Sequence, residues 1–359
     1  MIKIIDWYII KKYLGTFFFT IAIFTVIMVV FDISERMDDF LLRKPTLNQI
    51  IFDYYAGFIP FYLNYLFPLI NFIAVIFFTA RMADQTEIVP ILTGLVSFRR
   101  FLRPYFIGAT VIFLIALVFN IYIIPQTNKK KNAFENVYVS PQEDNLHLAT
   151  HIQIDSNTYV YVDNFDNRNK IGYKFVLEEM NGDVHSQKMI ADRVAWDSTK
   201  HTWSILDYSI RDINGLKENL HYGARKDTIL DMRPADFEIY DNIYLAMTMP
   251  EINDRIKKEK MRGTGKMVYL ELEKYKRFAT PLSVYILTLM GVSLSSRKVR
   301  GGIGASLGIG ILLSFAYIVA LQFTTMFALK GGLPAIIAVM IPNGLFGVIA
   351  VYLMIKAPK

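Results

Sequence analysis

Apolar residues in this chain gather in long runs toward its two ends, with a polar stretch between them. A helix crosses the hydrocarbon core of a bilayer with roughly 20 apolar residues. Three such runs precede the polar stretch: Tyr13–Phe31, Ala56–Ala80 and Tyr105–Pro125. The second carries Pro60 and Pro68 as kink sites, and the third is closed by its proline. Three more follow: Phe278–Ser296, Gly301–Leu329 and Gly331–Ile355. The pattern predicts a membrane α-helical protein with six transmembrane helices, three on each side of an inserted domain. Ahead of the first run, Met1–Lys12 mixes apolar residues with Lys3, Asp6, Lys11 and Lys12 and carries Trp7 and Tyr8. It reads either as an amphipathic segment lying in the interface or as the start of the same helix.

From Gln126 to about Tyr244 the rhythm is that of strands. Thr158–Val162 reads Thr-Tyr-Val-Tyr-Val, rich in β formers. Lys174–Met180 and Val184–Ile190 flank Asn181-Gly182, and Trp203–Ile213 precedes Asn214-Gly215; both dipeptides are strong hairpin signals. Strands at this spacing predict an all-β sandwich or open roll. Glu251–Lys260 and Lys266–Phe278 read as helical, with Gly263 and Gly265 between them. The domain layout is then a first membrane half over 1–125, a β domain over 126–250, a helical connector over 251–277 and a second membrane half over 278–359.

Composition agrees with that division. The chain of 359 residues is 53% hydrophobic and 14% aromatic, an excess over ordinary soluble domains that sits in the two end blocks. The net charge of +7 fits basic residues flanking membrane spans better than nucleic-acid binding. With no cysteine there are no disulfides, thiolate metal sites or sulfur-linked lipids. The N-terminal apolar stretch is long and lacks a small-residue cleavage site, so no removable signal is expected. Placing both termini in the cytoplasm puts Lys3, Lys11, Lys12, Arg81, Arg99, Arg100, Arg103, Arg297, Lys298, Arg300, Lys356 and Lys359 inside. The short outer loops then hold only Arg36, Arg43, Lys44 and Lys330. Lys129–Lys131, Lys274, Lys276 and Arg277 adjoin the long translocated domain, where the rule carries little weight.

The apolar runs contain no Asp, Glu, Lys, Arg or His, the residues on which ion-driven transporters often rely. Asn64, Asn71, Asn120, Gln322 and Asn343 are their strongest polar groups and read as hydrogen-bonding links between helices. The energy for any transport must then come from another protein. Gly263-Thr264-Gly265-Lys266 lacks the glycine and the Ser/Thr that a phosphate-binding loop needs at Lys260 and Met267. His147 and His151 stand four apart, but a metal site would need a helix there and further ligands. Gly291-Val292-Ser293 is too short for a nucleophile elbow. The chain is therefore read as a non-enzyme that binds no cofactor.

The Arg81–Arg103 loop is the most informative inner segment. Asp84 and Glu87 have the spacing of a helix-starting capping pair. Ile88, Ile91, Leu92 and Leu95 follow as one apolar stripe, with Pro90 inside it. Such a short helix suits either docking into a groove on a cytoplasmic partner or lying on the lipid.

Several segments now carry a family likeness. The chain resembles the permease subunits of the bacterial lipopolysaccharide exporter, the LptF/LptG type, and leans toward LptG. The likeness rests on the opening Ile5-Asp6-Trp7-Tyr8-Ile9-Ile10-Lys11-Lys12-Tyr13-Leu14 and on Thr86–Gly94, similar to the family's coupling segment. It rests also on Met247–Ile252, on Glu273–Pro281, and on the order of these segments along the chain. The resemblance implies a transmembrane subunit of an ABC-type exporter in a Gram-negative inner membrane, with a periplasmic, β-jellyroll-like domain. It implies a sister permease as heterodimer partner, a cytoplasmic ATPase that uses the ATP, periplasmic β-jellyroll bridge proteins, and lipopolysaccharide as cargo. Glu87 matches the family's coupling acid, so Glu87, Ile88, Ile91, Leu92 and Leu95 become the expected ATPase contacts. Arg36, Arg43 and Lys44 fall where the family lines its substrate site. They are candidate lipid A phosphate contacts, or else solvated charges above the headgroups. A non-transporting mechanotransmission or scaffold subunit linking an ATPase to a periplasmic partner is the alternative class.

Overall fold

The computed structural model describes residues 3–94, 96–139, 150–166, 169–182, 184–215, 217–237, 243–262, 267–297 and 302–357. The chain forms two compact units, one of Met1–Val139, Leu245–Met249 and Glu271–Lys359, the other of Ser140–Tyr244 and Pro250–Leu270.

Among the described residues six helices are long and apolar enough to cross a membrane. They are α1 (Ile4–Arg43), α2 (Leu47–Asp84), α4 (Phe98–Tyr138), α6 (Met267–Ser295), α7 (Gly302–Gly331) and α8 (Ala335–Lys356). The short α3 (Ile88–Thr93) lies between α2 and α4. The segment 4–12 proves to be the first turns of α1 and not a separate interfacial helix. At its other end α1 runs past Phe31 to Arg43, so Arg36 and Arg43 sit on the helix and Lys44 caps it in the left-handed region, φ 48°. Its 40 residues make a rod about 60 Å long.

Pro125 does not close the third span. A π-helical turn, Phe119–Ile123, precedes it, and the helix continues through Ile124–Tyr138. The proline then stands in the first turn after the π segment, where its missing N–H is harmless. Residues 126–138, expected to begin the strands, are therefore helical. Phe134 is buried with Tyr54, Tyr55 and Phe58, and that apolar seat keeps the polar segment helical.

The polar groups of the spans are used between helices. Tyr13 on α1 donates to Asn71 Oδ1 on α2 at 2.6 Å and lies 3.0 Å from Thr288 Oγ1 on α6, all three buried. Asn120 donates to Asn64 Oδ1 at 2.8 Å, Tyr317 to Asn343 Oδ1 at 3.0 Å, and Gln322 to the Tyr65 hydroxyl at 3.1 Å. Each asparagine expected to link helices does so, although Asn64 and Asn71 reach different partners.

Close approaches are set by glycine. A Cβ on Gly57 would lie 2.6 Å from the Thr127 carbonyl oxygen and 2.7 Å from Lys131 Cβ, whereas one on Gly15 meets nothing within 4 Å. Gly57→Ala must push α2 from α4, and the expected loss is about 1–3 kcal/mol. Thermal unfolding in lipid should show a lower midpoint for Gly57→Ala and none of that loss for Gly15→Ala.

The second unit holds one six-stranded antiparallel sheet in sequence order, β1 (Thr150–Gln153), β2 (Thr158–Asp166), β3 (Ile171–Asn181), β4 (Val184–Asp197), β5 (Thr202–Asn214) and β6 (Lys217–Thr228). The open roll is thus a meander. Both expected hairpins form, with Gly182 at φ 65° and Gly215 at φ 62° supplying the left-handed residue each turn requires. Alternate residues of β2 and β3 (Val160, Val162, Phe175, Leu177) face a core shared with Trp203, Met232 and Phe237. The Trp203 indole N–H donates to the Met232 carbonyl at 2.9 Å. On the other face Lys174 lies 2.8 Å from Asp163, and with the Tyr161 hydroxyl it holds that carboxyl below the usual carboxylate range. Beyond the sheet, α5 (Met249–Arg262) carries Arg255, which pairs with Asp236 at 2.7 Å and with Glu259 at 3.2 Å. Gly263–Lys266 lies outside the described residues.

Candidate functional site

Two polar clusters sit on α1, one near each end. The first surrounds the expected coupling segment. After α2 ends at Asp84 the chain reverses, with Thr86 at φ 59° and the Glu87 N–H bonded to the Met82 carbonyl at 2.9 Å. Asp84 therefore belongs to the end of α2, and the residue that starts α3 is Glu87, which makes no side-chain cap. The capping pair read from spacing is not formed. Instead the Glu87 carboxylate accepts the Tyr8 hydroxyl, at 3.2 and 3.4 Å from its two oxygens.

The apolar stripe points inward. Ile88 is 1% exposed, and Ile91 and Leu92 pack on the core of α1, α2 and α4. What α3 leaves uncovered is Val89, 60% exposed, with Pro90 and Thr93. A six-residue helix buried along one side satisfies its apolar stripe on its own protein before any partner arrives. Pro90 occupies the first turn, where the helix needs no N–H from it. Leu95 lies outside the described residues.

Beside this segment Asp6 joins the starts of α1 and α4. Arg100 Nη1 and Nη2 donate to its two oxygens at 2.8 and 2.6 Å, the forked geometry that guanidinium and carboxylate share. The Lys3 N–H donates to the same carboxylate at 2.8 Å. Only 5% of Asp6 is exposed, so these three donors replace nearly all of its water.

The second cluster is centred on Asp32, which is also 5% exposed. Its Oδ1 accepts from Arg36 Nε at 2.9 Å and Tyr54 at 2.7 Å, and its Oδ2 accepts from Tyr55 at 3.0 Å. Tyr54 and Tyr55 end a π-helical stretch of α2, Ile50–Tyr55. Arg36 also stacks on the Tyr54 ring and lies 3.6 Å from Glu135, which Lys131 meets at 3.1 Å. Of the three cations considered for phosphate, Arg36 is thus already engaged by carboxylates. Arg43 makes one long contact, 3.5 Å to the Val137 carbonyl, and Lys44 is exposed. Asp32, Tyr54, Tyr55 and Glu135 were not singled out by the sequence reading. An aspartate directly after an apolar run, with a Tyr-Tyr pair opening the next, is the signal that was there to use.

Among the described residues no group of three or more His, Asp or Glu could hold a metal. His151 packs against the Tyr161 ring on the sheet, and His147 is outside the described residues. Ser293 lies within α6, its hydroxyl returned to the Leu289 carbonyl at 2.7 Å.

Three spans, an inserted antiparallel sheet and three further spans, with the polar groups of the spans spent on joining helices, define a multi-pass membrane protein of permease architecture. The family model of the lipopolysaccharide export system permease LptF/LptG matches residues 7–356, nearly the whole chain. The chain belongs to that family, whose description covers both permease types. None of the curated proteins compared with the chain matches it.

Proposed function

We propose that the chain is one permease subunit of an ABC-type exporter that extracts lipopolysaccharide from the inner membrane and passes it to a periplasmic bridge of β-jellyroll proteins. It pairs with a sister permease, with its termini in the cytoplasm and its sheet in the periplasm. ATP is used by a separate cytoplasmic ATPase, which docks on the turn at Glu87 and on the uncovered face of α3. The observation that carries this reading is the use made of the polar side chains in the spans. Asn64, Asn71, Asn120, Asn343 and Gln322 bond across helices, and the apolar runs hold no Asp, Glu, Lys, Arg or His to carry a proton. Such walls need a nucleotide-driven neighbour.

The inward stripe changes which residues meet the ATPase. Ile88, Ile91 and Leu92 support α3 from beneath, and the contacts fall to Glu87, Val89, Pro90 and Thr93. Arg43 and Lys44 are the cations available to lipid A phosphates at the end of α1. Arg36 is already held by Asp32 through Nε, with Glu135 3.6 Å from Nη2, so it is the least available of the three.

The test is purification of the chain from its own membranes, followed by reconstitution. An ATPase and a second permease should accompany it with bound lipopolysaccharide, and ATP should release that lipid to an acceptor. A photoreactive residue at Arg43 or Lys44 should label the lipid. Lipid movement by the chain alone on a pH or sodium gradient would overturn the proposal, as would an ATPase partnership with no lipid bound.

A further inference from the structure

We infer that Asp32 is the catch of a latch: it holds the C-terminal half of α1 against α2 and α4, and that half swings away when the catch is released. The argument begins with how unevenly α1 is attached. Its buried residues are Asp6, Ile9, Ile10, Tyr13, Phe17 and Thr20, then nothing fully buried until Asp32. Between them Val26, Val30 and Phe31 are 63%, 57% and 73% exposed. One half of the helix is packed into the core of the unit, and the other half is held at Asp32 and by the partly buried Met28, Val29 and Phe40.

That fastening is polar at its centre. Two consecutive tyrosines give their hydroxyls to the two oxygens of one carboxylate, at 2.7 and 3.0 Å. Neighbouring positions on an α-helix do not face one point, and the π-helical turn at Ile50–Tyr55 is what allows it here. Such turns gather at functional places in helices. Phe40 then rests edge-on against Tyr54 and Phe134, so the same tyrosine is seat for both the carboxylate and the aromatic end of α1. A hold made of hydroxyls and charges can exchange its partners for water or for an anion, which apolar packing cannot do. Release also parts the Arg36 guanidinium from Glu135 on α4 and from the Tyr54 ring on α2. On the permease reading proposed above, that presents the cation to an anionic headgroup at the moment the helix opens.

The experiment uses the full chain in lipid bilayers. It has no cysteine of its own, so Leu41→Cys and Val137→Cys, both at exposed positions on α1 and α4, can carry spin labels for pulsed distance measurement. With Asp32 intact a single narrow distance is expected. Asp32→Ala should add a second, longer distance. So should the double variant Tyr54→Phe/Tyr55→Phe, which removes two hydroxyls, keeps both rings and so decides the matter even if Asp32→Ala does not fold. An unchanged narrow distance in the tyrosine variant overturns the latch. The measurement uses neither lipopolysaccharide nor ATPase, so a latch that fails leaves the proposed function standing, and a latch found says nothing for it.

Discussion

If the proposed ATPase docks at Glu87, replacing that residue by lysine is expected to detach it while the six spans stay folded. The side chain is half-buried, it caps no helix, and among the described residues it meets the Tyr8 hydroxyl at 3.2 Å, so little of the fold depends on it. A carboxylate in that setting is free to meet a cation on a docking protein. Like charges brought together at an interface cost several kcal/mol, so binding should weaken on the order of a hundredfold. Glu87→Gln keeps an acceptor for Tyr8 and loses the charge, and it should fall between lysine and the native residue. Two neighbours separate the docking face from its support. Val89→Asp, on the uncovered side, should weaken docking with no change in unfolding midpoint. Ile88→Ala, on the buried side, should lower the midpoint by the loss of a core methyl set, about 2–4 kcal/mol. Co-purification of the ATPase with each variant, read beside its unfolding curve, gives the answer. Undiminished co-purification with Glu87→Lys would remove the docking role.

That contrast between Val89 and Ile88 marks how far the sequence could be read. The i, i+3, i+4 spacing of Ile88, Ile91 and Leu92 identified a one-sided helix correctly, but periodicity shows only that a side is apolar. Whether the apolar side meets its own core or another protein depends on helices α1, α2 and α4, far away in the chain. The spans were legible because bilayer thickness imposes a length on apolar runs, and the hairpins because Asn-Gly answers a backbone requirement within four residues. The helical stretch 126–138 was not legible. Its Asn-Lys-Lys-Lys-Asn composition is that of an exposed segment, and its conformation rests on distant contacts, Phe134 against Tyr54 and Phe58 and Lys131 over the Phe61 ring. The Asp32 cluster failed for the same reason. Its partners lie 22 and 23 positions along on another helix, so the aspartate after one apolar run and the Tyr-Tyr pair before the next could be noticed, but local periodicity does not join them.

Asp6 and Arg100 are farther apart still, 94 positions, and their separation is expected to be the most costly single break at the cytoplasmic end proposed here. Arg100→Ala strands a carboxylate whose side chain is 8% exposed, leaving it only the Lys3 N–H. With the arginine side chain 25% exposed, water screens part of the pair, so the loss should fall short of that for a fully buried pair while still lowering the unfolding midpoint. Arg100→Lys should recover only part of it, because an ammonium cannot donate to both oxygens in parallel. Asp6→Ala/Arg100→Ala should be more stable than Arg100→Ala alone, since no charge is then left unpaired, and the cycle of single and double variants isolates the pair. If Arg100→Ala unfolds at the native midpoint, the pair is not holding these helix starts together. The same variant has a functional consequence. Asp6 lies two residues before Tyr8, which meets Glu87, so the pair fixes the first turn of α1 beside the turn proposed for docking. An ATPase that pulls on a loosened turn moves α1 less, and Arg100→Ala should therefore keep ATP hydrolysis while releasing less lipid per ATP consumed.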